Sequence, residues 1–117
     1  KVNNIAGTVI LPAGNWSLPS RLTFQRGNYE NVYTVKQWSR MEDNGAVFLP
    51  YSGRREAYDV TNIGYVGYYW TTTPASSGGV GWGPEAVYIS FSKSGIDRYY
   101  ATPRRYGQAV RLIQDVK

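Results

Sequence analysis

The sequence predicts an α+β domain: a small mixed or antiparallel sheet, a helix and a long irregular region. Three observations carry this. One stretch near the middle has a helical pattern with its own cap, short runs rich in β-forming residues stand on either side of it, and glycine and hydroxyl residues dominate from about Ser52 to Glu85. At 117 residues the chain reads end to end as a single domain, 1–117. At that length roughly two thirds of the extended chain's surface is hidden on folding, so a core forms without disulfide staples.

Taken in order, Val9-Ile10-Leu11-Pro12-Ala13-Gly14 and Val47-Phe48-Leu49-Pro50-Tyr51-Ser52-Gly53 echo each other. Two copies do not make a solenoid, so the pair reads as two buried strands, each closed by a Pro-Gly turn. Thr34-Val35-Lys36-Gln37 fits a capping box, and Tyr33 with Trp38 a hydrophobic staple. Val35, Trp38 and Met41 recur at a spacing that gives one buried stripe, and Gly45 is a natural C-terminal cap. The expected helix is 35–43.

After the helix the signal turns to strands. Ala46 to Leu49 is a continuous apolar run, as a central strand covered on both faces shows, and Pro50 ends it. An aromatic strand is expected in 64–73. Ala86 to Ser92, the turn Lys93-Ser94-Gly95 and Ile96 to Ala101 form a hairpin, and Gln108 to Ile113 a last strand. The stretch from Ser52 to Glu85 otherwise reads as strand-poor, with Trp82 among four glycines as either a ring pinned beneath the loop or an exposed platform.

Composition excludes much chemistry. With no cysteine and no histidine, thiol nucleophiles, zinc-thiolate sites, the Ser-His-Asp triad and nearly all catalytic zinc sites are removed. The eight acidic residues form no standout pair for glycoside hydrolysis and no dense run for calcium. Gly78 to Gly83 lacks the Lys-Ser/Thr of a phosphate loop and opens no helix. No catalytic, metal or cofactor residue is therefore assigned. No apolar run approaches the roughly 20 residues that cross a bilayer, so no membrane insertion of this segment is expected.

The chain is basic, with a net charge of +5 and nine arginines among thirteen basic residues. The doublets Arg54-Arg55 and Arg104-Arg105 lie near tyrosines, as in single-strand binders. Yet the charge is dispersed and no recognition helix or basic run accompanies it, which argues against nucleic acid. The outlying feature is aromatic content, 15%, with eleven tyrosines and four tryptophans. Rigid rings with polar tips on an irregular Gly/Ser/Thr-rich scaffold are the composition of a recognition surface.

Four blocks in order then carry a resemblance: Gly45-Ala46-Val47-Phe48-Leu49-Pro50 through Gly53-Arg54-Arg55, Gly67-Tyr68-Tyr69-Trp70-Thr71-Thr72-Thr73, Ala86-Val87-Tyr88-Ile89-Ser90-Phe91, and Tyr106-Gly107-Gln108-Ala109-Val110-Arg111. Over roughly 34–115 the chain resembles the Fibrobacter succinogenes major paralogous domain and its relatives in gut Bacteroidetes. The resemblance implies a C-type-lectin-like fold with one or two helices and a long loop region. It also implies an extracellular or outer-membrane-surface location, with an export signal expected upstream of Lys1. Trp70 and Arg111 match motif positions and are expected to be structural, Trp70 in the core and Arg111 paired with a carboxylate or backbone carbonyls. Leu112 stands where many relatives carry cysteine, Thr71 and Thr72 replace serines, and the calcium-and-sugar tripeptides of true C-type lectins are missing. The enzyme branch of this fold needs cysteines that the chain lacks.

The resulting expectation is a non-enzymatic domain that binds a glycan or protein partner through Trp82, Tyr68, Tyr99, Tyr100, Arg104 and Tyr106. A purely architectural module of a surface protein or pilus is the alternative, and a small carbohydrate-active enzyme a third class. Side-chain exposure separates the first two.

Overall fold

The computed structural model describes residues 1–14, 16–27, 30–75 and 84–111, with the Tyr99 side chain outside that description. Among the described residues the chain is mostly β-sheet with one short helix, compatible with a small α+β domain. Its elements are β1 (Gly7–Ile10), α1 (Val35–Glu42), β2 (Val47–Pro50), β3 (Arg54–Glu56), β4 (Asp59–Thr61), β5 (Val66–Pro74), β6 (Glu85–Ser92) and β7 (Gly95–Pro103).

The helix forms where its cap predicts. Gln37 donates its backbone N–H to Thr34 Oγ1 at 3.2 Å, and Thr34 donates its own to Gln37 Oε1 at 2.9 Å. Gly45 adopts φ +92° and, with Ala46, returns N–H groups to the Glu42 and Met41 carbonyls, closing the C-terminus. The expected stripe is two residues rather than three: Trp38 and Met41 are buried, whereas Val35 is exposed. Val35 is the first helical residue, and the neighbouring Tyr33 fills the core at that end.

The two echoing segments are partners. β1 and β2 pair antiparallel, with Val9 opposite Phe48 and Ile10 opposite Val47. β2 is covered on both faces as expected, but among the described residues it is an edge strand and not a central one, with β1 as its one partner. Covering comes from two separate clusters. Phe48 packs beneath Trp38 with Val2, Tyr33, Met41 and Ala46, ring centroids 5.7 Å apart. Val47 and Leu49, on the opposite side, join Tyr51, Tyr69, Phe91 and Ile89.

The span from Ser52 to Ile63 is not strand-poor: it holds the β3–β4 hairpin, closed by Glu56 opposite Asp59. The aromatic strand expected at 64–73 is β5. The hairpin turn is Ala57-Tyr58, with Ala57 at φ +52°, so it carries none of the Gly or Asn signals that mark such turns. Gly53 opens β3 at φ +68°, where a Cβ would stand 2.2 Å from the Thr61 carbonyl oxygen. Only glycine fits there.

β5, β6 and β7 form an antiparallel three-stranded sheet, with Tyr69 opposite Ile89 and Trp70 opposite Tyr88 on one side of β6, and Tyr88 opposite Tyr100 on the other. The β6–β7 hairpin matches the expected one, with β7 running on to Pro103. The chain then crosses to the far edge of the sheet. Gly107 exchanges backbone hydrogen bonds with Arg55, and Ala109 bonds to β5 on the Tyr68 carbonyl and Trp70 amide. Of the last strand expected at 108–113, the described part contains the single bridge of Ala109 to Tyr69, and 112–113 lie outside it. Among the described residues no helix is long and apolar enough to cross a membrane.

Candidate functional site

Alternation along β5 divides its aromatic residues between two faces. Tyr69 points inward, is 6% exposed, and donates its hydroxyl to the Pro50 carbonyl at 2.8 Å. Burial raises its pKa, a rise tempered by the Ser52 hydrogen bond and the Arg111 charge. Tyr68 and Trp70 point the other way. Because directly opposed residues share a face, Tyr88 of β6 and Tyr100 of β7 join them. The outer face of the sheet therefore carries a row of four rings across three strands.

Tyr88 is the hub of that row. Tyr68 meets it at 5.8 Å and 62°, Trp70 at 6.4 Å and 87°, and Tyr100 stacks on it at 6.0 Å and 27°. These edge-on and stacked geometries are the preferred ones for aromatic pairs, each worth about 0.5–1.5 kcal/mol beyond area burial. Beneath and beside the rings, Ser90 and Thr102 are buried on the same face. Tyr88 is half-buried, and that burial raises its phenol pKa while the nearby Arg54 charge works the other way.

Arg54 closes one end of the row. Its guanidinium lies 4.8 Å from the Tyr68 ring centroid and 5.3 Å from that of Tyr106, and it is ion-paired with Glu56 two residues along β3. Desolvation opposes the Arg54 charge, but the hydrogen bond to Glu56 and the charge of that carboxylate outweigh it, so its pKa is raised. Asn62 donates from Nδ2 to the Tyr68 hydroxyl at 2.9 Å. Tyr106 arrives on the crossover after β7, with the Arg105 guanidinium 6.0 Å from its ring centroid.

Of the six residues expected from sequence, Tyr68, Tyr100 and Tyr106 come together here, Tyr68 and Tyr106 half-buried and Tyr100 53% exposed. Arg104 is exposed at the end of the sheet, its Nε donating to the Glu85 carbonyl at 3.0 Å. Tyr99 lies in β7, and its side chain is outside the described residues, as is the whole of Trp82. One structural expectation is corrected. Trp70 stands half-buried on the outer face, not in the core, because it is one residue out of phase with the inward Tyr69. Arg111 is exposed and has no ion pair among the described residues.

Sequence reasoning missed Tyr88 and Arg54 as members of this surface. For Tyr88 the signal was there: Tyr88, Ser90 and Ser92 alternate with Ile89 and Phe91, so the polar-tipped set faces away from the apolar one. For Arg54 no local signal exists, since its contacts span up to 52 positions to Tyr106.

Two concavities lie elsewhere. A cavity of about 300 Å³ opens between β1 and the β6–β7 turn, lined among others by Thr8, Tyr51, Glu30 and Lys93. A second one of about 620 Å³ beside it adds Ile63 and Tyr65 and shares the exposed Glu30–Lys93 ion pair. Among the described residues no group of three or more Asp or Glu is placed to hold a metal ion. Compared with known proteins, the chain matches no family model, no curated protein and no solved structure.

Proposed function

We propose that this chain is a non-enzymatic recognition domain of C-type-lectin-like fold, placed outside the cell or on the outer-membrane surface, that binds a glycan or protein partner through the aromatic face of β5–β7. The observation that carries this reading is the uninterrupted row Tyr68, Trp70, Tyr88 and Tyr100 on the outward side of a sheet whose inward side already supplies the core. A three-stranded sheet needs one apolar face to be stable, not two. The four sequence blocks that resemble the Fibrobacter succinogenes major paralogous domain support the fold, the family and the location.

One observation favours a second reading, the architectural module. The rings touch each other, and Arg54 braces Tyr68 against Tyr106, so part of this surface contributes cohesion. Binding of the wild-type domain, Tyr100→Ala and Trp70→Ala to glycan and protein arrays separates the two, with thermal melts run alongside. Recognition by the face predicts a ligand that both variants lose while Tyr100→Ala still melts near wild type. A ligand retained by both variants moves recognition elsewhere, and an empty array with a large stability loss in both variants gives the architectural reading.

A further inference from the structure

We propose that the partner of the aromatic face is an acidic protein surface; this rests on the reading of that face as a binding site and chooses between its two ligand classes. Three observations favour protein over glycan. First, a sugar stacks on a free ring face, and here one face of each of four tyrosines is already taken. Arg54 lies over both Tyr68 and Tyr106, and Tyr88 and Tyr100 stack on each other. Tyrosines supply the mixed apolar and hydrogen-bonding contact that protein interfaces use.

Second, the face is a sheet surface, while the two concavities described above are lined by other residues. Small ligands prefer concave sites that enclose most of their surface, whereas protein partners dock on flat ones. Third, the rim is arginine without lysine. Arg55, Arg104 and Arg105 are exposed and form no ion pair among the described residues; of the two carboxylates that close the β3–β4 hairpin, Glu56 is taken up by Arg54 and Asp59 is exposed. Asp97, opposite Ser90, is the acidic residue at the other end of the face. With a net charge of +5 on the chain, approach of an acidic surface is steered and a second copy of the chain is repelled.

The probe is a random-peptide display library panned on the immobilised full chain, with a neutral and acidic glycan array run in parallel. The expected result is enrichment of peptides that combine Asp or Glu with an apolar or aromatic anchor. Binding of a selected peptide falls at least about tenfold in Tyr100→Ala, chiefly through faster dissociation. In Arg104→Glu/Arg105→Glu its association slows about tenfold, as it does for wild type when salt rises from about 0.05 to about 0.5 M. Circular dichroism melts of each variant confirm that the fold is retained. Enriched peptides without acidic bias, or acidic peptides indifferent to Tyr100→Ala, overturn the proposal, and so does a library that enriches nothing. A glycan that binds wild type and is lost in Tyr100→Ala overturns the protein partner while sparing the face as a site. Silence in both arms removes the site as well.

Discussion

Replacing Arg54 by alanine tests how the aromatic face is held together. Its guanidinium braces Tyr68 and Tyr106 from 4.8 and 5.3 Å and pairs with Glu56. At partly exposed sites each cation–π contact contributes about 0.5–1 kcal/mol, and a partly exposed ion pair about 0.5 kcal/mol. One guanidinium serves all three partners, so the contributions do not add in full, and about 1.5–2 kcal/mol is expected for the set. Little is recovered or lost by leaving Glu56 behind, because its side chain is one-third exposed and takes up water. A chain of 117 residues has an unfolding entropy near 0.25 kcal/mol/K, so Tm falls by about 6–8 °C. Arg54→Lys keeps the charge and loses the planar stacking, and is expected to recover about half. The loss is also local: Tyr106 anchors the crossover, so the Gly107 amide, bonded to the Arg55 carbonyl at 3.0 Å, exchanges with deuterium faster in Arg54→Ala. Calorimetry with hydrogen exchange reads both effects. A Tm within about 1 °C of wild type, or full rescue by lysine, refutes the bracing role.

Met41 is the residue with no exposure at all, at the centre of the helix-side cluster, and Met41→Ala is expected to cost about 3 kcal/mol, read as a lower denaturation midpoint at unchanged slope. Burial raises the phenol pKa of Tyr33, Tyr69 and Tyr88 above the ordinary value near 10. Between that value and the raised ones the unfolded chain binds fewer protons than the native one. Stability is therefore full below about pH 10 and declines as pH rises past it. Absorbance titration of tyrosinate should show a late-ionising set that merges with the rest in denaturant, and a single early transition would contradict it.

Local chemistry was legible in the sequence wherever it acts over a few positions. Thr34 and Gln37 announce the helix start, Gly45 its end, and Lys93-Ser94-Gly95 the β6–β7 hairpin, because caps and tight turns are decided by residues in direct covalent reach. The β3–β4 hairpin escaped notice since Ala57 takes φ +52° in a turn that favours Gly or Asn, a choice sustained by the pairing around it. Composition, too, was enough to point to Tyr, Trp and Arg as the chemistry of interest.

Placement was another matter. Whether a β5 ring enters the core or the outer face depends on a one-residue phase: Tyr69 meets Phe91 and Pro50 inside, and Trp70, its neighbour, meets Tyr88 outside. That phase is set by which side of the sheet packs against β2, a contact between segments about twenty positions apart in the chain. The sequence by itself determined the capped helix, the hairpin turn, and a basic chain rich in tyrosine with no histidine or cysteine to do chemistry. Only the tertiary structure decided that Tyr68, Trp70, Tyr88, Tyr100, Tyr106 and Arg54 form one surface, because side chains from five segments become neighbours through strand pairing and a crossover, and no local preference encodes either.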